Sequence, residues 1–231
     1  MRWFALAVVF IGAVAAYLYW RNRPEVLSYR YRLHLAISID DKVATGSRIV
    51  EVVWQCGRSY GNNHDELGPC YPSLGGEAAL IDLGPRGVVV ATLHTGENIE
   101  PVPDGAIGAV WLCGNAFGNK STAGEELPAL TKLSGRRNLV QSNFPRLVWF
   151  PKPDDPDTAT KVTVQNIARI IDPTARITEA YVEVTSDPIV IDIPGKLPWF
   201  SELQRRQKGK GTVSKAGQFQ LVYNMFVGEN S

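Results

Sequence analysis

The stretch Leu27-Ser28-Tyr29-Arg30-Tyr31-Arg32-Leu33-His34-Leu35-Ala36-Ile37-Ser38-Ile39-Asp40 decides how the chain folds. Its odd positions are apolar or aromatic, and its even positions are charged, polar or small. Successive side chains of a strand point to opposite faces, so this period of two predicts a long strand with one face on a core. Asp40-Asp41-Lys42 supplies turn chemistry, and Ser47–Gln55 returns as a second strand, which makes a hairpin.

The same reading extends outward. Glu77–Leu83 and Gly87–Leu93 form a second hairpin around Gly84-Pro85-Arg86. Ala106–Cys113, Leu139–Phe150, Arg176–Thr185, Ile189–Ile193 and Gln218–Val227 are further strand candidates. Their β-branched and aromatic content and short spacing predict a mainly β, antiparallel sandwich or barrel-like domain. Helix is scarce, with one or two short pieces expected. Thr122-x-x-Glu125 resembles a capping box, and Thr163–Ile171 is stopped by Asp172-Pro173. Cys56–Gly76 reads as one long loop, and Gln204–Gly211 as a basic connection.

Upstream of the first strand, Trp3–Trp20 contains no charge. Eighteen helical residues at ~1.5 Å each span about 27 Å, close to the hydrocarbon thickness of a bilayer. Aromatic rings lie at both ends, where headgroup regions favour them. Residues 1–24 are therefore expected to be a membrane anchor, touching lipid through residues 3–20, and 25–231 a single β-rich domain. Ala13-Val14-Ala15 resembles a signal-peptide cleavage site, but the apolar run continues through Tyr17-Leu18-Tyr19-Trp20. This favours an uncleaved, single-pass helix. Ala5, Gly12 and Ala16 form a small-residue face through which two such helices would approach, giving a homodimer. Arg21, Arg23, Arg30 and Arg32 follow the run, which by the positive-inside rule favours a cytoplasmic domain; a short basic start is also how export signals begin. The side is left open, with a slight preference for the periplasm.

The chain has 231 residues and a formal net charge of +1. That balance excludes the basic excess of a nucleic-acid binder. Three cysteines are too few for a disulfide scaffold. A Cys56–Cys70 disulfide is expected if the domain is exported, and Cys113 is expected as a buried free thiol.

Several motifs come near to catalytic patterns. Gly57-Arg58-Ser59-Tyr60-Gly61 matches G-x-S-x-G, with Asp82, His64 and His94 as partners for a serine hydrolase. The run that follows is Gly- and Asn-rich, whereas the hydrolase turn opens a helix. Gly114–Ser121 misses the phosphate-binding loop pattern because Asn119 replaces the glycine before Lys120. Cys56, His64 and Cys70 lack the short knuckle of a zinc site. No catalytic, cofactor or metal set is assigned. Tyr60, His64, Asp65 and Glu66 are the candidate binding loop, since long loops carry function.

Thr178–Val184, Ser186-Asp187-Pro188 and Gly195-Lys196-Leu197-Pro198-Trp199-Phe200 resemble a stretch found in a group of proteobacterial membrane-anchored β-rich proteins. Tyr29-Arg30-Tyr31-Arg32-Leu33 and Gly46-Ser47-x-x-Val50-Glu51-Val52 are similar to their opening hairpin. The resemblance implies a β framework and a bacterial origin, and it carries no site residue. The expected function is a non-enzymatic envelope interaction or assembly module at the bacterial inner membrane, with an unidentified protein partner and no nucleic acid. A membrane-tethered serine hydrolase using the Ser59 turn is the alternative.

Overall fold

The computed structural model describes residues 2–21, 23–58, 67–95, 108–119, 127–140, 143–208, 214–216, 219–221 and 225–228. The opening hairpin is β1 (Glu25–Ile39) and β2 (Lys42–Arg58), paired from Glu25 opposite Cys56 to Ile39 opposite Lys42. Asp40 and Asp41 both adopt positive φ, 49° and 61°. Two left-handed residues make the two-residue turn whose twist matches that of the flanking strands. Aspartate tolerates this conformation because its short side chain hydrogen-bonds locally.

Strand β3 (Leu67–Gly76) follows, then β4 (Ala79–Asp82), β5 (Val88–Thr95), β6 (Arg136–Asn138), β7 (Pro145–Phe150), β8 (Thr160–Val162) and β9 (Arg176–Val184). One antiparallel sheet has the order β3-β2-β1-β9-β6 and another the order β4-β5-β7-β8. Two further short strands, β10 (Ser214–Ala216) and β11 (Phe219–Leu221), form a separate ribbon. The protein is thus mainly β, as its alternating pattern predicts.

The inward row of β1, from Tyr29 through Tyr31, Leu33, Leu35 and Ile37 to Ile39, is buried. It packs in one core with Ile81, Val89, Ala91, Leu93, Leu147 and Val162 of the four-stranded sheet. That sheet is covered on its other face too. There Val88, Val90, Val148 and Phe150 meet Ile193, Leu197, Phe200, Leu203 and Phe226. Burial on both faces explains why Val88-Val89-Val90-Ala91 is apolar without alternation.

Three expectations need correcting. Leu67–Gly76, taken as the second half of a long loop, is an edge strand paired to β2 along its length. Pro69 and Pro72 hide it from a sequence reading, yet proline is accommodated on an edge strand because only one side needs N–H donors. Ala106–Cys113 does not form a strand: its described part is helical, within α2 (Ala109–Ala116). A short apolar run does not distinguish helix from strand by period. Helices also outnumber the one or two expected. After α1 (Arg2–Arg21) and α2 come α3 (Leu127–Leu130), α4 (Ile167–Ile170), α5 (Ile193–Lys196) and α6 (Phe200–Lys208). Helix α6 spans part of the expected basic connection, and the strand expected at Ile189–Ile193 does not form: residues 189–192 are irregular and Ile193 begins α5. Thr122 and Glu125 lie outside the described residues.

Helix α1 covers the apolar run, and its side chains are described for residues 10–19. Among the described residues no helix is long and apolar enough to cross a membrane, so the expected span gains no support from the fold itself. Phe10, Ile11, Tyr17, Leu18 and Tyr19 are exposed. A Cβ added at Gly12 would meet nothing within 4 Å, and Ala16 is exposed; the side chain of Ala5 lies outside those described.

The two sheets approach closely at Gly46, opposite Leu35 on the inward face. A Cβ there would stand 2.5 Å from the Leu80 carbonyl oxygen and 2.7 Å from the Ile81 side chain. Gly46→Ala is expected to lower the unfolding free energy by ~1–3 kcal/mol through overpacking. Urea unfolding of the variant beside Ser28→Ala, an exposed control, measures it; equal midpoints would refute the close approach.

Candidate functional site

On the outer face of the five-stranded sheet the even positions of β1 face an ordered ladder. Arg30 donates to Glu51 at 2.8 Å, directly across to β2. Arg32 donates to Glu183 on the other side at 2.8 Å, and also to Asp187. His34 lies opposite Tyr181 and stacks on its ring at 4.6 Å between centroids. The Arg136 guanidinium covers the same ring at 3.4 Å and approaches Glu179 at 3.6 Å. Tyr181 is thus sandwiched between an imidazole and a guanidinium, each contact adding to the other.

Burial draws the His34 imidazole below its usual value. Glu179 opposes that shift, and Arg136 and Arg32 reinforce it.

Beside this stack opens a cleft of about 380 Å³. Its polar lip is Arg136, Asn138, Thr178 and Glu179. Its apolar wall is Leu139, Phe144, Val164 and Ile177. The elements that frame it follow from the pairing. β6 runs against β9 only as far as Asn138 opposite Tyr181, and Leu139 then donates to the Ala180 carbonyl at 2.9 Å before the chain leaves. β9 shifts register at the point where Ala36 gives way to Ile37, which re-aims its side chains beside the cleft. The volume falls in the range of ligand-binding clefts, with few convergent polar groups on an apolar wall.

A second polar cluster lies inside. Arg48 sits on the inward row of β2, between Gly46 and Val50. It donates to Glu77 at 2.6 Å and also to Asp192. Glu77 is fully buried and accepts from the backbone N–H groups of Asp192 and Ile193 at 2.8 and 2.9 Å. Burial, then a hydrogen bond with Asp192, push the Glu77 carboxyl above its usual range against the pull of Ile193 and Arg48. This cluster ties α5 to the sheets; every polar partner in it is spent on structure.

The residues singled out in the sequence are scattered. Cys56 faces Cys70 across β2 and β3, and their sulfurs are joined at 2.08 Å. Sulfurs bonded to each other are not thiolate ligands for a metal. Ser59, Tyr60, Gly61, His64, Asp65 and Glu66 lie outside the described residues. On either side of them, Arg58 ends one strand and Leu67 begins its antiparallel partner. Asp82 pairs with Val88, six residues along β5 from His94, about 20 Å at strand rise, so the structure does not bring Asp82 and His94 together. Gly114 is inside α2 rather than in a phosphate-binding loop. Cys113 is buried in α2, with its thiol pushed up to about 12 by burial.

The cleft and the buried cluster were missed from sequence. Arg48 was legible: a charge in the row Ala44, Gly46, Val50, Val52, Trp54 calls for a buried partner. The cleft was not, because it joins β6, β9 and residues 144 and 164, which are far apart in the chain. Comparisons with protein-family models, with curated proteins and with solved structures found no match.

Two predictions follow from these contacts. Glu77→Ala removes one of Arg48's two carboxylate partners and leaves two backbone donors without their acceptor, and is expected to cost ~2–5 kcal/mol in urea unfolding. Arg48→Met with Glu77→Leu should recover much of that loss, because both charges leave together. For His34, a folded-state value below 6.5 means that its contribution is complete above 6.5 and is lost as pH falls. Unfolding measured at about pH 7.5 and about pH 5.5 should show a drop that shrinks in His34→Gln. Equal drops in both proteins would contradict it.

Proposed function

We propose that the protein is a membrane-anchored, non-enzymatic β domain acting as an interaction or assembly module, held on the oxidising side of a bacterial inner membrane. The observation that carries the binding role is the cleft beside Tyr181. Its polar groups are recognition groups: a guanidinium held in place by an aromatic ring, an amide, a hydroxyl and a carboxylate. Its apolar wall suits one hydrophobic side chain of a partner. Together they favour an amphipathic protein segment bearing an acidic group for Arg136 and an apolar group for Phe144 and Val164.

Two features support the location. Trp3–Trp20 is a charge-free run that lies within one helix. At that helix end the Arg23 guanidinium covers the Tyr19 ring at 4.9 Å, a pairing suited to a headgroup region. The Cys56–Cys70 bond belongs to an oxidising compartment, since cytosolic thiols are kept reduced.

Cells quenched with acid and alkylated without reductant should give protein in which neither Cys56 nor Cys70 is modified, and both are modified after reduction. Alkylation of both without reductant would place the domain in the cytosol. For the cleft, a photo-crosslinking residue at Val164 should yield a discrete adduct in cells that is lost when Arg136→Glu is added. An adduct indifferent to that change would remove the cleft from the interaction.

A further inference from the structure

The anchor and the sheet are tied closely enough for the sheet's orientation to follow. Helix α1 ends at Arg21 and β1 begins at Glu25. Four Cα steps reach at most about 14 Å, so the first rows of the sheet stay near the end of the helix. The first row is Glu25, Cys56 and Cys70. The next is Val26, Gln55 and Tyr71, side by side on the outer face. Val26 is 58% exposed and Tyr71 71% exposed, both large for apolar groups on a sheet.

The outer face then changes character along the strands. Ser28, Val53 and Ser73 form the following row, and the ion-paired ladder starts at Arg30 and Glu51. From Val26 to Arg30 is about 13 Å at strand rise. A headgroup region is roughly 5–8 Å deep on each side of the hydrocarbon. The row of Val26, Gln55 and Tyr71 therefore falls within reach of that region, and the ion-paired ladder falls outside it.

We propose that the Val26–Tyr71 corner, at the disulfide end of the five-stranded sheet, seats on the headgroup layer of the bilayer that α1 enters. The occupant is a phospholipid surface, and this rests on the reading of α1 as an anchor. Tyr71 supplies the amphipathic ring favoured at such an interface. The seating orients the whole module. His34 lies eight residues beyond Val26, so the cleft beside Tyr181 is carried about 26 Å off the surface, clear of the headgroups. Arg58 and Leu67, paired with each other, lie at this same end of the sheet.

The test uses the full chain, with its disulfide intact, in vesicles of mixed phosphatidylethanolamine and phosphatidylglycerol. Spin labels are placed singly by Ile11→Cys, Val26→Cys and Val43→Cys, and their accessibility to oxygen and to a water-soluble nickel chelate is measured. Val43, 60% exposed at the far end of the hairpin, is the water reference. The label at position 11 should read hydrocarbon, and the label at 26 should meet the chelate several-fold less than the label at 43. Adding Tyr71→Glu should restore chelate access at 26. Equal access at 26 and 43, with position 11 buried in lipid, overturns the seating and leaves the anchor standing. Water at position 11 overturns the anchor and the seating with it.

Discussion

Strand β1 is the constraint on which the structure depends. It pairs with β2 over its whole length and with β9 over its second half, so it is the central strand of its sheet. Its inward row is buried from Tyr29 to Ile39, with each fully buried aliphatic side chain contributing about 1.5–3 kcal/mol. A slip of one residue would turn Tyr31, Leu33, Leu35 and Ile37 to solvent and bring Arg30, Arg32 and His34 inside. The turn at Asp40–Asp41 fixes that register at one end of the hairpin, and at the other end the bond between Cys56 and Cys70 ties β2 to β3.

The two faces of β1 divide the molecule's tasks. Inward, the row packs against the four-stranded sheet, and the α2 carbonyls of Ala109 and Val110 accept from the hydroxyls of Tyr31 and Tyr29. The tyrosines thereby bury their rings and keep a partner for each hydroxyl. Outward, the same strand carries Arg30, Arg32 and His34, whose partners lie on β2 and β9. Of these, His34 stacks on the Tyr181 ring that the Arg136 guanidinium covers, at the lip of the cleft. The outer face beside the cleft is thus built on the most tightly specified strand rather than on a loop.

Polar groups inside the protein follow the rule that burial demands partners. Arg48 and Glu77 stand beside a largely apolar core, and each has its partner: Arg48 bonds Glu77 and Asp192, while Glu77 also accepts from two backbone donors. The cluster joins the sheets to the layer formed by α5, α6 and residues 225–228. The far turn is locked differently, at the surface. Arg86 bridges Asp40 and Asp172 at 2.8 and 2.9 Å, linking the turns of two hairpins.

Local pattern determined much of this. Alternation in Leu27–Asp40 specified the strand and its buried face, because side-chain direction in a strand is a local property. The hairpin at Gly84-Pro85-Arg86 and the strand at Arg176–Val184 were legible for the same reason. Where the pattern was ambiguous, tertiary context chose. Ala109–Ala116 is helical although its apolar run read as a strand, and Leu67–Gly76 is a strand despite two prolines, because an unpaired edge tolerates them. The cleft was decided by the tertiary structure alone. Arg136 and Glu179 come to line one cleft only when β6 pairs with β9, and no local spacing encodes that pairing.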